Sequence, residues 1–231
     1  MEVTLQCLLA LLAFTTVAKA NDPAEVLVFG GTGRLGAPIV RLLVEADYPV
    51  TVFARPTSDR GRLADLEVAY LVGDLMDADS VVEAIRGQPF SLVIDASARG
   101  LGGDPFYIAA MRNILAGVAA SPVQQFILHG SVGAGENMQQ FPEVGFERMR
   151  DVMIAKGEAE ALLKASGIPY TIIRNGLVRP DGTPATGTAR LTEDDRVLGV
   201  ATRLDLAALT LQCLENQACM NKTFHAVDDS F

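Results

Sequence analysis

Seven consecutive residues, Gly30-Gly31-Thr32-Gly33-Arg34-Leu35-Gly36, constrain the fold of this chain more than any other stretch. They follow an apolar run, Glu25 to Phe29, that reads as a strand. They open into Leu35 to Ala46, where the apolar residues Leu35, Ile39, Leu42 and Leu43 recur at helical spacing. Two glycine spacings are satisfied at once: Gly-x-x-Gly-x-x-Gly through Gly30, Gly33 and Gly36, and Gly-x-Gly-x-x-Gly through Gly31, Gly33 and Gly36. A strand that turns tightly into a helix lets the backbone approach a pyrophosphate, and the N–H groups at the helix start then hold the anion. In a bare loop these glycines would mean only a turn. Between an apolar strand and an amphipathic helix they predict a dinucleotide cradle, with Gly30, Thr32, Gly33, Arg34, Leu35 and Gly36 as its candidate residues.

Beyond the cradle, short β-branched runs alternate with longer helical patterns, the signature of a parallel sheet. The expected fold class is α/β, a Rossmann-type doubly wound parallel sheet in a single domain. Further strands are expected at Val50 to Phe53, Val68 to Val72, Leu92 to Asp95, Gln125 to His129, Tyr170 to Arg174 and Thr223 to Val227. Helices are expected at Asp77 to Arg86, Pro105 to Ala120, Gly145 to Ala165 and Asp205 to Glu215. Pro180 to Thr188 is rich in Gly, Pro and Thr and reads as a loop over the mouth of the sheet. No internal repeat interrupts the pattern, so one domain over 21–231 suffices.

The end of the second strand decides which dinucleotide is favoured. An NAD site usually presents an acidic residue there, to bind the ribose hydroxyls. This chain has Phe53-Ala54-Arg55 instead, with Arg60 and Arg62 shortly after and Arg34 inside the glycine loop. Arg34 and Arg55 are suited to clamp a 2′-phosphate by charge-assisted bonds, so NADP(H) is the expected cofactor.

Charge and cysteine usage narrow the remaining classes. The net charge is −9 with no basic run, which argues against a nucleic-acid partner, since duplex binding needs clustered Lys and Arg. Cys7, Cys213 and Cys219 have no metal-ligand spacing, and no metal site is expected. Cys213 and Cys219 are expected as two unlinked thiols near a helix end, with pairing in an oxidising compartment as the alternative. At the N-terminus, Leu8 to Phe14 is an apolar run too short for a membrane span, and Ala18-Lys19-Ala20 has the small-x-small pattern of a signal-peptidase site. Residues 1–20 therefore read as an export signal cleaved before Asn21, placing the chain in a periplasmic or secreted compartment. Against it, Met1 to Gln6 carries Glu2 and no basic residue, so a cytoplasmic chain is the alternative.

Further segments follow the glycine loop in order: Phe53-Ala54-Arg55, Gly73-Asp74-Leu75, Asp95-Ala96-Ser97-Ala98, Gly130-Ser131-Val132-Gly133, Lys156-Gly157-Glu158-Ala159-Glu160 and Ile173-Arg174-Asn175-Gly176. With them the chain resembles, from Val26 to Val227, the atypical short-chain dehydrogenases/reductases. Within these it looks like the NAD(P)H-binding, NmrA-like group that includes flavin and biliverdin reductases. The resemblance implies that Asp74 and Leu75 border the adenine and that Ala96 and Ser97 flank the dinucleotide. It likewise implies that Ser131 polarises a substrate carbonyl and that Lys156 bonds the nicotinamide ribose.

One departure bears on mechanism. A full dehydrogenase of this kind carries Tyr-x-x-x-Lys, so that the lysine lowers the tyrosine's pKa. Four residues before Lys156 this chain has Val152, and its tyrosines, Tyr48, Tyr70, Tyr107 and Tyr170, stand elsewhere. His129, beside Ser131, is the candidate replacement acid, with a hydrogen-bonded structural histidine as the other reading. The expected function is an NADPH-dependent reductase of a small-molecule acceptor that takes hydride without a tyrosine acid, such as a flavin, quinone or enone. The alternative is a non-catalytic NADP(H)-binding sensor or assembly factor. An epimerase holding NAD tightly is disfavoured, because such enzymes keep the tyrosine.

Overall fold

The computed structural model describes residues 24–99, 106–144 and 146–231; the leader, Pro105 and Gly145 lie outside the described residues. In chain order the strands are β1 (Val26–Phe29), β2 (Val50–Ala54), β3 (Ala69–Val72), β4 (Leu92–Asp95), β5 (Gln125–Ser131), β6 (Tyr170–Asn175), β7 (Leu177–Val178), β8 (Arg190–Thr192), β9 (Val200–Ala201) and β10 (Lys222–Val227). The helices are α1 (Gly36–Glu45), α2 (Ala78–Ile85), α3 (Phe106–Val118), α4 (Arg150–Ala165) and α5 (Arg203–Cys213). Eight strands form one sheet in the order β3-β2-β1-β4-β5-β6-β10-β8, parallel throughout except for the antiparallel edge pair β10–β8. This is the Rossmann-type α/β fold that the alternation of patterns predicts.

Side chains alternate across a strand, and here both faces are apolar because both are covered by helices. Val26 and Val28 of β1 join α1 and α5 in one core layer, with Ile39, Leu43, Leu206 and Leu209. Leu27 and Phe29 join α2, α3 and α4 in the other, with Ile85, Ile114 and Leu163. Each such fully buried side chain stabilises the fold by roughly 1.5–3 kcal/mol, so the paired layers fix the register of the central strands. Helix starts are set by side chains: Asp77 accepts the Ser80 N–H at 3.2 Å ahead of α2, and Thr202 accepts the Asp205 N–H at 3.0 Å ahead of α5.

Three element ends differ from expectation. β5 continues two residues past His129 to Ser131, paired with Asn175 of β6. α4 begins at Arg150, after a 3-10 turn over Glu147–Met149. α5 stops at Cys213 rather than Glu215, because Leu214 is extended and Glu215 takes φ 56°. The Glu215 N–H then meets the Gln125 side-chain oxygen at 2.7 Å, and the Gln125 amide donates to the Cys213 carbonyl at 2.9 Å. That turn brings Cys219 back beneath the helix end, 5.5 Å from Cys213 between Cα atoms, and the two are joined as a disulfide. The expectation of two unlinked thiols is thereby corrected.

Candidate functional site

The strand order reverses at β1, whose neighbours β2 and β4 lead away on opposite sides. Ligands of open α/β sheets bind outside the carboxyl ends of the strands at such a point. Here those ends open into a cleft of about 1280 Å³. It is lined by the glycine loop from Gly30 to Leu35, Arg55 after β2, Asp74 and Leu75 after β3, Ala96 and Ser97 after β4, His129 and Ser131 of β5, and Lys156 of α4. The candidate residues, scattered over 127 positions of sequence in the numbering, thus converge on one surface; Gly36 alone serves from behind it.

The glycines have separate tasks. Gly30 takes φ +71°, and a Cβ on it would lie 2.6 Å from the Ser97 nitrogen, so a bare backbone lets β1 and β4 end side by side. A Cβ on Gly36 would fall 2.1 Å from the Gly30 carbonyl oxygen, so it allows α1 to pack against its own turn. At Gly33 a Cβ would meet only that carbonyl, at 3.0 Å, and the remaining space is open. The Gly33 N–H is used to close the turn onto Gly30, at 2.9 Å. α1 begins with no side-chain cap and no acidic residue in its first turn. Its positive end is therefore left to an anion from the cleft. These observations fit a dinucleotide pyrophosphate.

At the end of β3, the Asp74 N–H donates to Ser80 Oγ at 3.1 Å, and the Leu75 carbonyl accepts from the Asn113 amide at 2.8 Å. The wall beside Arg55 is thus rigid, and the Arg55 N–H is itself tied to Ser58 Oγ at 3.1 Å. Arg34 and Arg62 both approach Asp181 of the 180–188 loop, at 3.9 and 3.5 Å. Through that carboxylate Arg62 is drawn towards Arg34 of the glycine loop, a link that sequence spacing does not reveal. The loop is anchored from below. Thr186 and Gly187 N–H groups donate to Asp205 at 3.0 Å each, and Thr188 donates to Asp228 at 2.8 Å. Burial raises the Asp228 carboxyl, but the donors from Thr186, Thr188 and Ser230 outweigh it and hold it down at about 2.

At the opposite end of the cleft, Lys156 Nζ donates to Ser131 Oγ at 2.6 Å. Burial pushes the ammonium down from its usual range, opposed by the carboxylates of Glu160 and Asp95. Val152 stands half-buried one turn ahead of Lys156 on α4. Tyr107 of α3, which sequence spacing sets aside, lays its ring 4.9 Å from Lys156 Nζ. Its hydroxyl is committed elsewhere, donating to the Arg99 carbonyl at 3.0 Å.

His129 sits in a different environment. Its Nε2 lies 2.9 Å from Thr210 Oγ1, and Thr210 already gives its hydrogen to the Leu206 carbonyl at 2.7 Å. Nδ1 lies 3.4 Å from Asn175 Oδ1, so both ring nitrogens face oxygens and a neutral ring donates to one of them. Burial lowers its pKa to about 4. A neutral ring with its one proton committed to Thr210 or Asn175 fits the structural role better than that of an acid.

With that geometry in place, three comparisons agree on the kind of protein. A family model described as NAD(P)H-binding matches residues 30–217. Among curated proteins, the chain is 28% identical over 222 residues to a probable pinoresinol-lariciresinol reductase of Arabidopsis thaliana, covering 90% of this chain and 68% of that one. It is 25% identical over 214 residues to the photosystem II assembly factor Ycf39 of Cyanophora paradoxa, covering 88% of this chain and 63% of that one. It thus spans about two thirds of the length of these relatives. Among solved structures, ChuY, an anaerobillin reductase of Escherichia coli O157:H7, superposes with a TM-score of 0.78 at 24% identity, over 90% of this chain and 98% of that one. A short-chain dehydrogenase/reductase of Veillonella parvula in complex with NADP superposes with a TM-score of 0.69 at 14% identity, over 89% of this chain and 95% of that one. At these identities the two structures speak for the fold alone. The family match, with which the arrangement of the cleft agrees, establishes that the chain belongs to the NAD(P)H-binding family.

Proposed function

We propose that this protein is an NADPH-dependent reductase of an activated small-molecule acceptor, a flavin, quinone or conjugated enone. The observation that carries the reading is the 2.6 Å bond from Lys156 Nζ to Ser131 Oγ at the floor of the cleft, with Val152 where a tyrosine acid would stand. Bound NADPH supplies a hydride to the acceptor. An ammonium has donors only, so Ser131 Oγ accepts from Lys156 and its own hydrogen is free to point at the acceptor. Ser131 stabilises charge growing on the acceptor oxygen or nitrogen, and Lys156 supports the hydroxyl and returns a proton to it. The glycine loop and the start of α1 hold the pyrophosphate and exclude water from it.

Preference for NADP(H) over NAD(H) rests in this reading on Arg55 and Arg34. Arg55→Ala is expected to weaken NADP(H) by ~1.5–3 kcal/mol, roughly 10- to 150-fold, and to leave NAD(H) nearly unchanged. Calorimetry with both nucleotides reads this directly. Equal losses would show that Arg55 does not contact the 2′-phosphate.

A second reading, an NADP(H)-binding sensor or assembly factor, draws on Val152 and on the similarity to a protein named an assembly factor. Turnover of NADPH with a flavin or quinone acceptor separates the two. Tight binding with no turnover on any acceptor would favour the sensor.

We also propose that the protein works outside the cytoplasm. The Cys213–Cys219 disulfide supports this, since such bonds persist in oxidising compartments, and so does the apolar run from Leu8 to Phe14. Mass spectrometry of the protein from its native host is expected to find Asn21 as the first residue. Finding intact Met1 would return the chain to the cytoplasm.

A further inference from the structure

Beside the floor of the cleft lies a second, smaller pocket of about 20 Å³, between the end of β4, α3, β5 and α4 and sharing Ser97, His129, Gly130 and Lys156 with the cleft. Its polar walls are Asp95, Ser97, Tyr107, His129 and Lys156, and Met111 lies among the apolar rest. A space of that size holds one water when polar groups line it. Asp95 ends the buried strand β4 and is 6% exposed. One of its oxygens accepts the Ser97 N–H at 2.8 Å, in the turn that also packs on Gly30. A carboxylate in such surroundings is expensive unless donors and a cation compensate it. Glu160, the other carboxylate near Lys156, is already committed to Arg174 by a 2.7 Å ion pair. Asp95 is left sharing that pocket with the ammonium, its carboxyl raised by burial and drawn down by Ser97 and Lys156.

We propose that Asp95 is a positioning residue of the reducing site: across the water-sized cavity its carboxylate holds the Lys156 ammonium in place against Ser131. The inference rests on the reading of Ser131 and Lys156 as the reducing pair, and it concerns what keeps that pair in working order. Were Lys156 to lose its proton, its lone pair would accept the Ser131 hydrogen, and the acceptor would face an oxygen with nothing to donate. Burial drives the lysine in that direction. The groups packed around it divide clearly. Asp95 from β4 and Glu160 from α4 favour the charged form, the latter shared with Arg174 of β6. Tyr107 of α3 is held neutral by burial, and His129 of β5, at about 4, is neutral as well. Neither changes charge over the neutral range, so a shift in Lys156 reports on Asp95.

The chain has four lysines, Lys19, Lys156, Lys164 and Lys222, few enough to follow each side-chain nitrogen by NMR after labelling with ¹⁵N-lysine. Lys156→Met assigns the signal of interest. In Asp95→Asn, Lys156 is expected to titrate lower by about one pH unit or more, the size of effect of a lost opposite charge at close range. Asp95→Glu is expected to restore most of it. The alkaline limb of kcat with a quinone acceptor should move down with the titration, while KM for NADPH changes less. An unaltered Lys156 titration in folded Asp95→Asn overturns the proposal. Should Asp95→Asn fail to fold, the carboxyl carbon of Asp95 is followed in Lys156→Met instead, where coupling is reciprocal and the carboxyl must titrate higher. No change there also overturns it. Because the titrations need no turnover, a coupled pair in a protein that reduces nothing would count against the reductase reading and not against the pairing.

Discussion

Gly33→Val is expected to abolish nucleotide binding, a loss of at least ~100-fold, in a protein that still folds. Gly33 faces the cleft, and a Cβ there would touch only the Gly30 carbonyl, at 3.0 Å. The backbone needs a small local adjustment, and the branches of valine then project into the space the pyrophosphate requires. The contrast with Gly36 makes the experiment specific. A Cβ at Gly36 would lie 2.1 Å from the Gly30 oxygen and 2.7 Å from Gly31 Cα, both backbone atoms that cannot step aside. Gly36→Val should therefore damage the fold itself. Calorimetry with NADPH on each variant, beside circular dichroism and thermal unfolding, separates the two outcomes. Normal binding by a folded Gly33→Val chain would mean that the pyrophosphate lies elsewhere.

That cradle is the part of the molecule most fully legible in the sequence, because its requirements are local. A buried strand, a glycine turn and an amphipathic helix follow one another within Val26 to Glu45, and the structure keeps them in that order. The central strands are readable for the same reason, β1, β4 and β5 each holding a run of three or four apolar residues. β7 and β9 have two residues each and β8 three, too short for any periodicity to register. The end of α5 was misplaced because Leu211, Cys213 and Leu214 continue a helical pattern that Gln125, some ninety positions away, interrupts by capturing the Glu215 N–H. The disulfide follows from that interruption and shares its origin in tertiary contact. In the site, the 25-residue separation of Ser131 and Lys156 hides their bond from any local reading, and only the resemblance to a known family joins them. Asp95 left a signal that was open to notice, a carboxylate ending an otherwise apolar buried strand.

The acceptor is where the missing tyrosine has its largest consequence. Simple aldehydes and ketones concentrate the incoming charge on one oxygen as an alkoxide forms, and a positioned acid assists such a step by about 10²–10⁴. Val152 offers no proton, and the His129 proton is held by Thr210 or Asn175 on a ring that stays neutral to about pH 4. The Tyr107 hydroxyl is bonded to the Arg99 backbone. Ser131 remains, an aliphatic hydroxyl and a weaker acid than a phenol, backed by Lys156. Flavins, quinones and enones spread the charge over a conjugated system and depend less on that acid. NADPH oxidation with these acceptors is therefore expected to exceed that with unactivated ketones by at least ~10²-fold, the lower end of the assistance a full acid provides. A steady-state screen of both acceptor classes, followed by NADPH absorbance, measures the ratio. Val152→Tyr should narrow it, since the new phenol would stand one helical turn from the Lys156 ammonium and be lowered by it. Ser131→Ala should slow the activated acceptors while leaving NADPH affinity largely intact, because its hydroxyl acts on the acceptor. Fast reduction of plain ketones by the native chain would contradict the assignment and require an acid other than the Ser131–Lys156 pair.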